Sequence, residues 1–200
     1  VILNKAIVAS NSEYLIFIDG DCIPHHQFIE EHLSLAKKGK VVAGRRVMLT
    51  EELTKSITKE MISSRKIHRF VTIRVLLSSF FGKVRHAEES IRITNKWLRK
   101  IFLKERFHDL LGCNFSIYKQ DMLKINGFDE RFSYPGIGED TDVEARLNRI
   151  GIYCKVERHM LTVYHKWHKI NHFGSEKNKV FIEDNNKNNI SKTPYGIIKN

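Results

Sequence analysis

The chain has 200 residues, 42% of them hydrophobic, and a formal net charge of +11. That length is enough for one domain with a sizeable core, and no apolar run approaches the ~20 residues of a membrane span. Cys22, Cys113 and Cys154 are scattered with no CxxC pair, a spacing that fits neither a disulfide framework nor a zinc ribbon and points to a reducing compartment.

In chain order, residues 3–11 read as the end of a helix. The first residue is Val rather than Met, so upstream sequence is expected. Residues 14–19 form a short apolar run rich in β-favouring types and closed by Gly20 and Pro24, which predicts a strand buried on both faces. It ends in Asp19-Gly20-Asp21. Burying unpaired carboxylates is costly, whereas ligands of open α/β sheets sit beyond the carboxyl ends of strands. Two carboxylates separated by one glycine can converge on a hard divalent cation carrying a phosphate. A solvated turn is the competing explanation. His25 and His26 follow, and surface positions are expected for both.

A helix is expected over about 26–38 and a short strand over 41–44. Residues 110–118 read as a strand, 120–125 as a short helix closed by the Asn126-Gly127 turn signal, and 138–150 as a helix ended by Gly151. Two short strands follow near 152–156 and 160–164. Strands alternating with helices predict an α/β fold. The 138–150 helix opens with Glu139, Asp140 and Asp142. Acidic residues suit a helix N-terminus, and Asp142 can pair with Arg146 one turn on. Those effects account for Asp142 and Glu144 better than for Glu139 and Asp140, which follow two glycines and can reach into a cleft. A carboxylate there is a candidate general base.

The strand ending in DGD, the block LLGCNFSIYKQDMLKINGFDERF, the run GIGEDTDVEARL and a histidine after a later strand occur in this order. Together they resemble the family 2 nucleotide-sugar glycosyltransferases of the GT-A fold. The middle block is also similar to the β-1,4-galactosyltransferases, although Ile137 stands where that loop usually has Trp; Trp167 is a candidate substitute for sugar stacking. The resemblance covers roughly 1–50 and 107–170. It implies a Rossmann-like α/β fold with a mostly parallel central sheet, without the first β-α-β nucleotide-binding elements. It also implies a nucleotide-diphosphate sugar donor, with UDP the preferred carrier, a glycan or lipid-linked acceptor, and Mn²⁺ or Mg²⁺. Asp19 would contact the ribose or the water shell of the metal. Asp21 and His165 would ligate the metal, and Gly112, Cys113 and Asn114 would line the donor sugar. Asp140 would be the base of an inverting displacement, and Glu139 would hydrogen-bond the acceptor. His159, His168 and His172 are expected as solvated loop residues.

The charge is concentrated. Residues 55–106 hold 14 Lys/Arg against four Glu, while the remainder nearly cancels. Within this basic insert, about 51–106, Phe70, Ile73, Leu77 and Phe80/Phe81 recur at helical spacing beside Arg65, Lys66, Arg69, Arg74 and Lys83; Ile91, Leu98, Ile101 and Phe102 recur beside Arg92, Lys96, Arg99 and Arg106. Basic amphipathic helices lie on anionic membranes; packing on the domain or on a partner subunit is the alternative. No nucleic-acid motif accompanies the charge. The expected organisation is a partial GT-A domain over 1–173 and a polar, partly disordered tail over 174–200. The Lys/Ile/Asn-rich composition points to an AT-rich bacterial genome, which favours bacterial surface polysaccharide synthesis; the scattered cysteines and the basic insert lead to the expectation of a cytoplasmic protein, peripheral on the inner face of the cell membrane. Competing readings are a non-catalytic module of the same fold and a haloacid-dehalogenase-like phosphatase with Asp19 as nucleophile.

Overall fold

The computed structural model describes residues 2–79, 87–95, 97–98, 109–132, 138–169 and 175–199. The expectations for Phe80, Phe81, Lys83, Lys96, Arg99, Ile101, Phe102, Arg106, Ile137 and His172 lie outside the described residues.

Helix α1 (Ile2–Ala9) leads into strand β1 (Tyr14–Ile18). Its buried Asn4 clamps a distant turn in both directions: Nδ2 donates to the Phe128 carbonyl and Oδ1 accepts the Phe128 N–H, each at 2.8 Å. Strand β2 (Cys22–Pro24), helix α2 (Phe28–Leu35), β3 (Lys40–Ala43) and β4 (Arg46–Met48) follow. The basic insert holds α3 (Glu51–Ser56), α4 (Lys59–Ser63), α5 (Ile67–Ser79) and a 3₁₀ turn at Ala87–Ser90. Then come β5 (Asn114–Tyr118), α6 (Lys119–Lys124), α7 (Glu139–Arg149), β6 (Tyr153–Val156), β7 (Val163–His165) and α8 (Ser175–Lys187).

Two sheets result. The larger has the order β1-β5-β3-β6 and the smaller β2-β7-β4. The expected mostly parallel sheet needs refinement at this level. β1, β3 and β6 point the same way, but β5 is inserted between β1 and β3 and runs against both. Two of its three strand pairings are therefore antiparallel. β1 also departs from expectation: β5 is its one strand partner among the described residues, and none of its residues is fully buried.

The larger sheet builds one core with α1, α6 and α7, around Ile7, Val41, Phe115, Ile117, Met122 and Leu147. The smaller sheet builds a second, in which Val47, Leu49 and Tyr164 meet Leu53 of α3 and Ile67, Val71 and Val75 of α5. The basic insert thus covers the small sheet. The i, i+4, i+8 set Ile67, Val71 and Val75 turns inward, and Ile73 and Leu77 stay exposed beside Arg69 and Arg74.

The tail, expected to be polar and partly disordered, contributes α8 and a following segment that pack on the domain through polar side chains. Asn185 Nδ2 donates to Asp142 Oδ1 at 2.7 Å, and Thr193 Oγ1 to Asp129 Oδ2 at 2.8 Å. Asn126 Nδ2, in the Asn126-Gly127 turn, donates to the Thr193 and Ile198 carbonyls. Hydropathy does not register such bonds.

Candidate active site

The pairing registers assemble the site. β1 and β5 are antiparallel with Ile18 opposite Asn114, so the turn leaving β1 meets the turn entering β5. Asp19 and Asp21 come from the first turn, and Gly112 and Cys113 from the second. The first is tight, with Cys22 N donating to the Asp19 carbonyl at 3.0 Å. β2 then pairs with β7 so that Cys22 stands opposite His165, and Lys166 N donates to the Asp21 carbonyl at 3.0 Å. Residues about 140 positions apart are thereby placed side by side.

Asp21 Oδ2 lies 3.5 Å from His165 Nε2 and 3.2 Å from His168 Nε2. Burial lowers the pKa of His165, with Asp21 opposing, so its imidazole favours the neutral, ligating form. Asp21 Oδ1 and His165 Nδ1 are both buried and have no hydrogen-bond partner among the described residues. Buried polar atoms are rarely left so. Ligand atoms of Asp21, Cys22 and His165 all lie within 4.8 Å of one another. A carboxylate and a neutral imidazole converging with unspent lone pairs fit a divalent ion such as Mn²⁺. The Cys22 thiol is engaged elsewhere. It hydrogen-bonds to Cys113, which raises its own pKa and lowers that of Cys113, whose sulfur also accepts from Arg46 Nη1 at 3.7 Å.

A cavity of about 440 Å³ opens beside these turns, with a wall of α1 and β1 side chains. Its polar lining includes Asp19, Arg46, Glu139 and Asp140, with Gly112 and Cys113 between them. Gly138, at φ 135°, precedes α7 and lets the chain turn sharply into the helix; a Cβ there would press on the Phe132 ring. Asp140 Oδ2 accepts the Gly112 N–H at 3.1 Å, and Oδ1 accepts that of Thr141 at 2.8 Å. Burial raises the pKa of Glu139, and the charges of Asp140 and Asp19 add to it. Burial likewise raises Asp19, reinforced by Asp21 and opposed by His165 and Arg46. The carboxylates sense one another and two basic groups: they form one electrostatic cluster.

The structure brings together Asp19, Asp21, Gly112, Cys113, Glu139, Asp140 and His165. Asn114 is different. It is fully buried, does not line the cavity, and spends its amide on the Arg45 and Leu161 carbonyls at 3.0 and 2.6 Å. His32, neutral because burial lowers its pKa to about 4, packs behind it and shares Ser116 and Asn114. Gly44 is required at this crossing, since a Cβ would fall 2.4 Å from Asn114 Nδ2. Asn114 thus fastens β5 to the strands beside it. Sequence reasoning missed Arg46, whose signal was the Arg45-Arg46 pair directly after a strand. His168 is exposed, as expected of a solvated loop residue, and it also sets Nε2 3.2 Å from Asp21 Oδ2. Glu139 and Asp140 opening a helix leave the dehalogenase-like reading without its second acidic strand end.

The chain matches two family descriptions: Glycosyl transferase family 2 over residues 3–107, just over half its length, and the N-terminal domain of galactosyltransferase over residues 93–174. No curated protein matches it. The two matched spans meet within the sequence, and each supplies one wall of the cavity, Asp19 and Arg46 from the first and Gly112, Glu139 and Asp140 from the second. The chain belongs to glycosyltransferase family 2 and has the GT-A fold.

Proposed function

We propose that this chain is the catalytic part of an inverting hexosyltransferase that takes its sugar from a nucleoside diphosphate, UDP by preference, and delivers it to a glycan or lipid-linked acceptor in bacterial surface polysaccharide synthesis. The observation that carries this reading is the meeting of carboxylates across one cavity: Asp19, from the end of β1 and within electrostatic reach of Asp21, and Glu139 and Asp140 from the start of α7.

Asp21 and His165 would hold the divalent ion. Such an ion offsets the negative charge that develops on a departing diphosphate. Arg46, in the cavity wall, adds a fixed positive charge for the same anion. Gly112 and Cys113 bring backbone close to the donor sugar. Asp140 accepts two backbone N–H bonds that hold its carboxylate in place, and it takes the proton from the acceptor hydroxyl. The oxygen then forms its bond to the anomeric carbon as the bond to the diphosphate oxygen breaks, and the diphosphate leaves with the electron pair. A single displacement inverts the anomeric centre. Glu139, whose pKa burial raises, would hydrogen-bond the acceptor.

The test is a screen of nucleotide-sugars for Mn²⁺-dependent donor hydrolysis, with calorimetry of Mn²⁺ binding in the presence of nucleoside diphosphate. Asp21→Ala should abolish the metal-dependent heat and the hydrolysis together. If Asp21→Ala binds Mn²⁺ as the wild type does, the ion sits elsewhere.

Peripheral attachment to an anionic membrane belongs to the same proposal. No helix among the described residues is long and apolar enough to cross a membrane. The exposed face of α5 instead offers Ile73 and Leu77 with Arg69 and Arg74. Each basic residue near such a surface contributes ~1 kcal/mol. Binding to anionic liposomes should therefore fall with added salt, and Ile73→Ser/Leu77→Ser should weaken it at low salt. A protein that stays in the supernatant at low salt would leave α5 with its packing role alone.

A further inference from the structure

Three histidines lie outside the site described above. His25 and His26 follow β2, and His68 stands in the first turn of α5, more than 40 residues later. Ring centroids are 4.0 Å apart for His25 and His68, 4.1 Å for His25 and His26, and 5.0 Å for His26 and His68. His25 and His68 are buried and His26 is exposed. The sequence suggested surface positions for His25 and His26, which holds for His26 alone.

A structural role for this cluster accounts for part of the geometry. His68 Nε2 accepts the His26 backbone N–H at 3.0 Å, and His25 Nδ1 accepts that of Gln27 at 3.2 Å. These bonds brace a short loop against α5. They do not account for His68 Nδ1, which is buried and meets no hydrogen-bond partner among the described residues. Nor do they explain why three imidazoles are gathered where apolar residues would pack without an orphaned nitrogen.

We propose that His25, His26 and His68 form a second metal site, distinct from Asp21–His165, that takes a borderline transition ion such as Zn²⁺. One ligand nitrogen from each ring lies within 4.8 Å of the other two. Tetrahedral zinc at ~2.0–2.1 Å from each nitrogen needs them about 3.3 Å apart, so the loop closes by no more than about 1.5 Å. It gives up the two backbone donors in exchange for the ion. An all-imidazole set suits zinc, copper or nickel, whereas Mg²⁺ and Mn²⁺ prefer oxygen. Burial lowers the pKa of His25 to about 4 and of His68 to about 3, so both rings are neutral at pH 7. The nearby Arg92 is charged, but it is paired with the buried Glu31. A cavity of about 450 Å³ beside the rings, lined also by Arg69, Thr72 and Ser90, leaves room for water or a small anion as fourth ligand. The ion would staple α5 of the basic insert to the strand that follows Asp21.

The experiment uses tag-free full chain. In an Asp21→Ala/His165→Ala background, Zn²⁺ is titrated alone by calorimetry and Co²⁺ is followed by its visible ligand-field bands. The site predicts one equivalent of Zn²⁺, tetrahedral-type Co²⁺ bands and a rise in melting temperature with Zn²⁺. Adding His26→Ala, at an exposed position that leaves folding intact, should weaken binding at least ~10-fold, the lower range seen for removing even an indirect support of a metal. Adding His68→Asn should remove it. In the otherwise wild-type chain, His26→Ala should lower the strength of one Zn²⁺ equivalent and leave Mn²⁺ binding with nucleotide unchanged. No Zn²⁺ binding in the background variant, or binding unaffected by both histidine changes, overturns the site. Because the background lacks Asp21 and His165, this result does not depend on the glycosyl-transfer reading.

Discussion

Asp140→Asn is expected to leave nucleotide-sugar binding near the wild-type value and to lower transfer by at least ~10²-fold, the loss typical of removing a general base. The amide keeps the shape of the carboxylate, and its oxygen can still accept the Gly112 N–H that Asp140 Oδ2 accepts at 3.1 Å. It cannot take a proton from an acceptor hydroxyl. The loss should therefore fall on turnover rather than on donor affinity. Glu139→Gln is the informative comparison. A glutamine can still hydrogen-bond the acceptor, so Glu139→Gln should leave the Michaelis constant for the acceptor near the wild-type value and preserve far more of the turnover than Asp140→Asn. Steady-state kinetics with both substrates varied would separate the two. Equal losses of turnover would mean that the start of α7 acts as a unit and that Asp140 has no special place in it.

The second large effect concerns stability. Asp142→Ala should cost about 3–5 kcal/mol, the range for breaking a buried ion pair by removing one partner. Arg146 and Asp142 are almost fully buried, and Arg146 Nε donates to Asp142 Oδ2 at 2.7 Å. Arg146 Nη1 also donates to the Ile125 and Gly127 carbonyls at 2.7 and 2.8 Å, and Asn185 holds the other Asp142 oxygen. One ion pair therefore connects α7, the turn after α6 and α8. A typical domain has ~5–15 kcal/mol in all, so urea unfolding should shift to a much lower midpoint. Asp142→Ala/Arg146→Met should recover part of the loss, because the stranded charge is then gone as well. A cost below ~1 kcal/mol, the scale of an exposed pair, would show that water reaches the pair.

This pair also shows how far sequence reasoning reaches. The i, i+4 spacing of Asp142 and Arg146 was legible, since both lie on one helix face. Its burial was not, because burial depends on α8 and the 126–127 turn closing over it. The tail illustrates the same limit from the other side. Its low apolar content predicted partial disorder and gave no sign that Asn185, Thr193 and Asn126 bind through directional bonds to partners 43 to 72 residues away. Composition measures the hydrophobic contribution to folding and cannot count hydrogen bonds whose acceptors are not yet placed.

What the sequence determined by itself was local. An apolar run of β-favouring residues must end where Asp19-Gly20-Asp21 begins, and a helix opening after Gly138 must carry Glu139 and Asp140 in its first turn. Near neighbours encode such features through side-chain shape, backbone freedom and periodicity. The tertiary structure alone decided which distant ends meet. The β2–β7 register set His165 beside Asp21 and brought His168 with it; a one-residue slip would turn those side chains to the other face of the sheet. The packing of α5 on the small sheet gathered His68 with His25 and His26. The crossing at Gly44 made Asn114 a fastening inside the fold rather than a wall of the cavity, because its amide meets two carbonyls that no local pattern could place within reach.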